Sequence, residues 1–422
     1  ASLGRQIDDI PTSRRGYAEA DIRQLLRELE RIAVPSTAAP RRPRRVDGAP
    51  EWGSSDDMNV RPAASAAPRP RPTRGDRSAA TAWDPIRPAD RPTDRPVDRP
   101  ADRDERRPTD PTTAVDRLES AMRSTGSIAC VGLDPRPSLI PPEIVERHRG
   151  RDDDPRKSVA AAFVEANLRI LDAVAGSCAA VKPQAACYEA YGLAGWWALI
   201  ETVEAAVARG IPVVLDAKRA DIGSTTEHYG QMAFGGAPDL SGHPTAGIGA
   251  DWLTVNPYLG ADGLDLVLTE RDLPRTASAF VLVKTSNPSS GDLQDRAMAT
   301  GTDEPTTVAD TVADLVATWG AARPSEGGLD NLGAVVGATY PDHARALRER
   351  MPDTMFLVPG YGAQGGGGAA ALAGQRTDGR GVLVSSSRGI TGAWQQRPDV
   401  PFERTIVDAL RAMNADLGDH RH

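Results

Sequence analysis

Long apolar runs and an excess of basic charge are missing from this 422-residue chain, and cysteine is scarce. Each absence excludes something. No run of about 18 apolar residues occurs, so no membrane-spanning helix is expected. Residues Ala1 to Gln6 lack the apolar core that opens a signal peptide. The three cysteines, Cys130, Cys178 and Cys187, sit in apolar surroundings without metal-ligand spacing. They read as reduced, buried thiols of a cytoplasmic protein with no bound metal. A formal net charge of −8 and a pI near 5.4 give no general affinity for nucleic acid.

What is present is unevenly distributed. Residues 1–34 hold one amphipathic helix, Tyr17 to Ala33, with Ile22, Leu25, Leu26, Leu29 and Ile32 at helical spacing. One short helix cannot bury such a stripe alone, so a protein partner or a second copy of the chain is a candidate to cover it. Residues 35–111 contain 15 of the 35 prolines and a four-residue repeat, RPAD, RPTD, RPVD and RPAD, from Arg87 to Asp102. Too little apolar surface is available there to offset the entropy of ordering, so a disordered, extended Pro/Arg/Asp-rich linker is expected.

From residue 112 to 422 the pattern changes to that of one α/β domain. Eight short apolar runs have strand length: Ile128–Leu133, Cys178–Lys182, Ile211–Asp216, Trp252–Asn256, Ala279–Lys284, Gly333–Ala338, Met355–Pro359 and Gly381–Ser385. Helical patterns from about Thr113 to Ser124, Lys157 to Val174, Leu193 to Ala208, Thr306 to Trp319, Ala344 to Arg350 and Phe402 to Met413 accompany them. Strands alternating with helices imply a parallel sheet, and eight such units predict a (β/α)8 TIM barrel. An open doubly wound sheet is the alternative, weakened because no Gly-x-Gly-x-x-Gly turn follows the first strand.

Barrel chemistry sits at the C-terminal ends of the strands. Those ends carry Asp134, Lys182, Asp216 with Lys218, Asn256 and Lys284. Residues i and i+2 of a strand share a side, so Asp216 and Lys218 should project together, with Asp221 on the loop beyond. A lysine between two carboxylates keeps its charge and can give up a proton, but it is a poor nucleophile. The seventh strand runs into Gly360-Tyr361-Gly362-Ala363-Gln364-Gly365-Gly366 and the eighth into Ser387-Arg388-Gly389. A glycine-rich turn presents backbone N–H groups to an anion, and an arginine adds a bidentate contact. A phosphate grip is the expectation.

Asp216-Ala217-Lys218-Arg219-Ala220-Asp221-Ile222-x-x-Thr225, with Lys182 one strand earlier, resembles orotidine 5′-monophosphate decarboxylase. Lys182-Pro183-Gln184, Val255-Asn256-Pro257-Tyr258 and Lys284-Thr285-Ser286-Asn287-Pro288 are most similar to the longer bacterial branch of that family. The resemblance covers residues 112–422 and implies cofactor-independent conversion of orotidine 5′-monophosphate to UMP and CO2 in pyrimidine biosynthesis. It implies that Lys218 protonates C6, that Asp216 faces the substrate carboxylate, and that Asp134 and Lys182 meet the ribose. Asp221 and Thr225 would enter the neighbouring subunit's site, making a homodimer the working unit. Gln364, Gly365, Gly366 and Arg388 would hold the 5′-phosphate. Asn256 and Ser286 join the candidate substrate contacts, with 285–295 as a lid.

Two other readings stand beside this one. A related barrel family uses a similar Asp-x-Lys-x-x-Asp to bind magnesium and to process sugar phosphates by decarboxylation or aldol chemistry. It expects a glutamate where this chain has Lys182. A non-catalytic scaffold acting through the N-terminal tail is the other.

Overall fold

The computed structural model describes residues 112–268, 276–298, 306–362 and 366–421. The helix expected at Tyr17 to Ala33, the proline-rich segment, Gln364 and Gly365 lie outside the described residues.

Eight parallel strands form the core: β1 Ala129–Leu133, β2 Ala180–Pro183, β3 Val214–Arg219, β4 Trp252–Val255, β5 Ser278–Lys284, β6 Gly333–Val336, β7 Met355–Pro359 and β8 Val382–Ser386. They pair in the order β2-β1-β8-β7-β6-β5-β4-β3. Parallel bridges from Val181 to Val213 and from Gln184 to Asp216 join β2 to β3, so the ring closes. Closure makes this a TIM barrel and excludes the open sheet. Among the described residues no helix is long and apolar enough to cross a membrane.

The strands are apolar over most of their length because both faces are buried, with charged residues only toward their C-terminal ends. Cys130, Ala180, Val214, Trp252, Phe280, Val335, Leu357 and Leu383 fill one cluster within the ring. Their neighbours at odd spacing, such as Val131, Val181, Leu215 and Leu253, pack into a second cluster with the helices. Trp252 stacks on Phe280 with ring centroids 4.2 Å apart. A Cβ at residue 333 would lie 2.3 Å from the Phe280 ring, so Gly333 is what admits that pair.

Helix α1, Ala114–Thr125, closes the bottom of the ring. Its Ala114, Val115 and Leu118 belong to the interior cluster. Arg117 reaches Asp251, just before β4, at 2.9 Å. Glu119, 3% exposed, pairs with Arg380, just before β8, at 2.5 Å. Both partners precede their strands, so α1 lies at the N-terminal ends and leaves the C-terminal mouth open. Thr113 and Asp116 begin the helix with a reciprocal capping box.

Outer helices α2 Pro155–Val174, α3 Gly192–Ala208, α6 Val308–Ala321, α7 Pro341–Arg350 and α8 Phe402–Asp419 lie where the periodicity predicts them. Helices α4, Gly223–Phe234, and α5, Ala261–Val267, were not foreseen. The first starts Gly-Ser-Thr-Thr-Glu-His and buries apolar side chains only at its end, at Ala233 and Phe234, so it carries no stripe to read. The second spans 7 residues, too short for a periodic signal.

Leu118 is fully buried against the barrel floor. Leu118→Ala should therefore lower the unfolding free energy by about 2–5 kcal/mol, read by chemical denaturation. A loss well under 1 kcal/mol would mean that α1 is an ornament rather than a plug.

Candidate active site

Strand β3 does not end at Asp216, as the apolar run suggested, but continues to Arg219 through an irregularity. Val214 and Leu215 pair with Trp252 and Leu253, and the next pairing is Arg219 with Val255. Asp216, Ala217 and Lys218 thus all stand opposite the single residue Thr254, which is a bulge. Within it Lys218 has φ +49°, the one positive φ of a non-glycine among the described residues. A left-handed conformation costs a non-glycine residue about 1–2 kcal/mol, so something must hold it.

Asp216 and Lys218 do meet, although not through the plain alternation of a regular strand. Lys218 Nζ lies 2.5 Å from Asp216 Oδ1, and Lys182 Nζ lies 2.8 Å from Oδ2. Gln184 Nε2 donates to Oδ2 at 3.0 Å, and Thr254 Oγ1 donates to Oδ1 at 2.9 Å. Asp216 is 6% exposed. Burial alone would raise its pKa, but Lys182 and then Lys218 outweigh that and hold it well below the usual carboxylate range. Burial likewise works against the charge on Lys182, and the neighbouring Asp216 and Asp134 overcome it, leaving its pKa above that of an ordinary lysine. Lys218 reaches outward, its side chain 47% exposed.

Asp134, at the end of β1, extends the array. Its Oδ1 is 4.0 Å from Lys182 Nζ and, although buried, has no hydrogen-bond partner among the described residues, while Oδ2 accepts from Ser387 Oγ at 2.5 Å. A Cβ at residue 132 would strike Ser387 Oγ at 2.2 Å, so Gly132 permits that contact. The vacant acceptor Oδ1 is suited to a hydroxyl donor.

Asp221 stands apart from this cluster. Its Oδ1 accepts from the backbone N–H of Ile222 at 2.8 Å, and Thr225 is exposed in the first turn of α4. Lys218 therefore rests on one carboxylate of its own chain rather than between two. Asn256 also departs from the array, its side-chain oxygen capping the turn at Tyr258 N, 2.9 Å away.

Segment 285–295, expected as a lid, follows Lys284, which is buried at the end of β5 and paired with Asp295 Oδ1 at 2.6 Å. Gln294 clasps Thr285 from both sides, accepting from its N–H at 3.0 Å and donating to its hydroxyl at 2.8 Å. Ser286 is half-buried over Gly337, where any Cβ would lie 2.9 Å from its own.

Across the mouth, Gly360 and Gly362 take positive φ, and Gly362 N donates to Gly366 O at 2.8 Å. Asp416 of α8 anchors this loop, accepting from Tyr361 OH at 2.8 Å and from Gly368 N at 2.9 Å. Gly366 is buried and Arg388 is exposed at the end of β8. No carboxylate among the described residues engages the Arg388 guanidinium.

Thr254 and Asp416 escaped the sequence reading, and Gln184, Ser387 and Asp295 entered it only within longer motifs, with no contact assigned. Thr254 is the sole polar residue in an otherwise apolar strand, a signal that was available. The others become legible only once it is known which strands are neighbours.

Burial pushes the Cys130 and Cys178 thiols up to about 12, which removes them as nucleophiles at neutral pH. Among the described residues no group of three or more His, Cys, Asp or Glu could hold a metal ion.

Comparison with known proteins now gives the arrangement its relatives. Residues 128–399 match the model of the orotidine 5′-phosphate decarboxylase / HUMPS family. Orotidine 5′-phosphate decarboxylase of Rhodopirellula baltica is 43% identical over 310 residues, covering 73% of this chain and 98% of its own. The Haloarcula marismortui protein of the same name is 40% identical over 275 residues, covering 65% and 85%. Among solved structures, Leishmania donovani OMP decarboxylase superposes with a TM-score of 0.55 at 32% identity, covering 74% of this chain and 99% of its own. The family match spans the strands that carry Asp134, Lys182, Asp216, Lys218 and Arg388, and the chain belongs to the orotidine 5′-phosphate decarboxylase / HUMPS family.

Proposed function

We propose that the protein converts orotidine 5′-monophosphate to UMP and CO2 in pyrimidine biosynthesis, without a cofactor, by electrostatic means. The observation that carries this reading is the Lys182–Asp216–Lys218 array at the barrel mouth, with Arg388 exposed on the rim and engaged by no carboxylate among the described residues.

In the proposed reaction the bond from C6 to the carboxylate carbon breaks, CO2 departs, and the electron pair stays on C6. Lys218 Nζ then gives its proton to C6, closing the product, and recovers one from solvent. A fixed cation where negative charge develops is the preorganised contribution that often dominates catalysis. Asp216, facing the substrate carboxylate, adds ground-state repulsion that is relieved when CO2 leaves. One charge pair at about 4 Å and an effective dielectric near 20 amounts to about 4 kcal/mol. Enzymes lower barriers by about 8–23 kcal/mol, so the array alone falls short. Binding of the remote phosphate by Arg388 and the loop around Gln364, Gly365 and Gly366, with closure of the lid at Ser286, supplies the rest in this reading. Asp134, with its vacant acceptor, and Lys182 take the ribose hydroxyls.

The matching family model is named for HUMPS as well, and the magnesium-dependent sugar-phosphate reaction is the alternative enzyme reading. Lys182 speaks against a magnesium-dependent reaction here. Its ammonium already occupies Asp216 Oδ2, and a cation placed there would meet a repulsion of about 4 kcal/mol per unit charge.

Asp221 and Thr225 turn away from their own array, which supports a role in the site of a second copy within a homodimer. The barrel domain, 112–422, is the catalytic unit in this proposal, because the R. baltica relative matches 98% of its own length with only 73% of this chain. Residues 1–34 and 35–111 serve as docking segment and linker. Cytoplasmic residence belongs to the same reading, supported by three unpaired thiols.

Three measurements test this. Purified protein should consume orotidine 5′-monophosphate, followed by absorbance, equally with and without a chelator. Lys218→Ala should nearly abolish that activity while the protein still folds, and substantial residual turnover would remove Lys218 as donor. Arg388→Ala should lower kcat/KM by at least about tenfold although it lies across the mouth from the array, and an unchanged value would remove its phosphate role. For the dimer, each heterodimer of Lys218→Ala with Asp221→Ala regains one intact site. An equal mixture should therefore recover roughly a quarter of wild-type activity, whereas no recovery would place both residues in one subunit's site.

A further inference from the structure

Thr254 sits 1% exposed in the middle of β4, and its hydroxyl touches three groups of the β3 bulge. Oγ1 accepts from Ala217 N at 3.0 Å and from Lys218 N at 2.9 Å, and it donates to Asp216 Oδ1 at 2.9 Å. A hydroxyl has one proton and two lone pairs. The ionised carboxylate can only accept, so the proton must go to Asp216 and both lone pairs to the backbone N–H groups. Every bonding position of this hydroxyl is used, and its orientation is thereby fixed.

The three bonds fall on the segment that needs them. Two extra residues on β3 leave Ala217 and Lys218 out of register with β4, where their N–H groups have lost the regular ladder. The hydroxyl replaces those acceptors and so holds Lys218 at its positive φ. The same atom steadies the carboxylate oxygen to which the Lys218 ammonium is paired at 2.5 Å. Backbone and side-chain tip of Lys218 are thus referred to one oxygen on the next strand. Thr254 is itself buried, and its hydroxyl has no capacity left for a substrate.

We propose that Thr254 is a positioning residue for catalysis: its hydroxyl holds the bulge that aims Lys218 and sets the Asp216 oxygen against which Lys218 rests. The proposal rests on the reading of Lys218 as the proton donor. Packing alone is the competing account, since a buried threonine also fills space. The two accounts part on the hydroxyl, because Val has the shape of Thr without it and Ser has the hydroxyl without the methyl.

The experiment is steady-state decarboxylation of orotidine 5′-monophosphate by the full chain carrying Thr254→Val or Thr254→Ser, with UMP affinity measured beside it. Thr254→Val should lower kcat by at least about tenfold while KM and UMP affinity stay within about threefold, because a hydrogen bond to a charged group is lost but phosphate and ribose contacts are not. Thr254→Ser should keep kcat within about threefold of wild type, since the same three bonds can form. If Thr254→Val does not fold, Thr254→Ala deletes the same hydroxyl and is read in its place. A Val or Ala variant with wild-type kcat overturns the proposal, and so does a Ser variant as impaired as the Val one. Absence of decarboxylation by the wild-type protein would instead overturn the function proposed above, which separates the two failures.

Discussion

The carboxylate of Asp216 is the point on which the mouth of the barrel depends. An ionised carboxylate has about four lone-pair positions, and all are spoken for: Lys182 and Gln184 on Oδ2, Lys218 and Thr254 on Oδ1. Those partners come from β2, the segment after β2, β3 itself and β4. One buried anion therefore ties three adjacent strands together where the ring closes. It survives at 6% exposure only because two ammonium groups outweigh its desolvation. The arrangement is a structural brace and a charged site at once.

The rest of the fold serves that point. Helix α1 seals the N-terminal ends with Leu118 and paired charges, so the C-terminal mouth is the open one. Small residues are placed where backbone or ring must come close: Gly132 under Ser387, Gly333 under Phe280 and Gly337 under Ser286. Opposite the array, α8 sends Asp416 up to the glycine loop, so the far rim is fixed to the outer layer. In the function proposed above, the charges on one side and an arginine that no carboxylate among the described residues engages would receive the two ends of a ligand with an anionic tail.

Most of the architecture was legible because buried parallel strands are uniformly apolar and end abruptly in polar residues. Cys130, Val214 and Trp252 could be assigned to strands on that signal alone. Helices α4 and α5 were not, since one opens on a polar run and the other is under two turns long. The charged residues were legible as types at strand ends, but not their geometry. Alternation put Asp216 and Lys218 on one side for a reason that the bulge at Thr254 replaces. Asp221, read as a second support for Lys218 from the loop just beyond, bonds its own loop within this chain. Bulges depend on which strand lies next door, and that is a property of the closed ring rather than of any local stretch.

The central claim is that Lys218, held on Asp216, exchanges a proton with C6 of the pyrimidine. Proton delivery to C6 must run in reverse through the same group, so the enzyme should also remove that hydrogen from its product. UMP incubated with the protein in D2O, followed by proton NMR, reads this directly. The account predicts slow loss of the C6 proton signal with the wild-type chain and none with Lys218→Ala. Exchange at the same rate in both would contradict it.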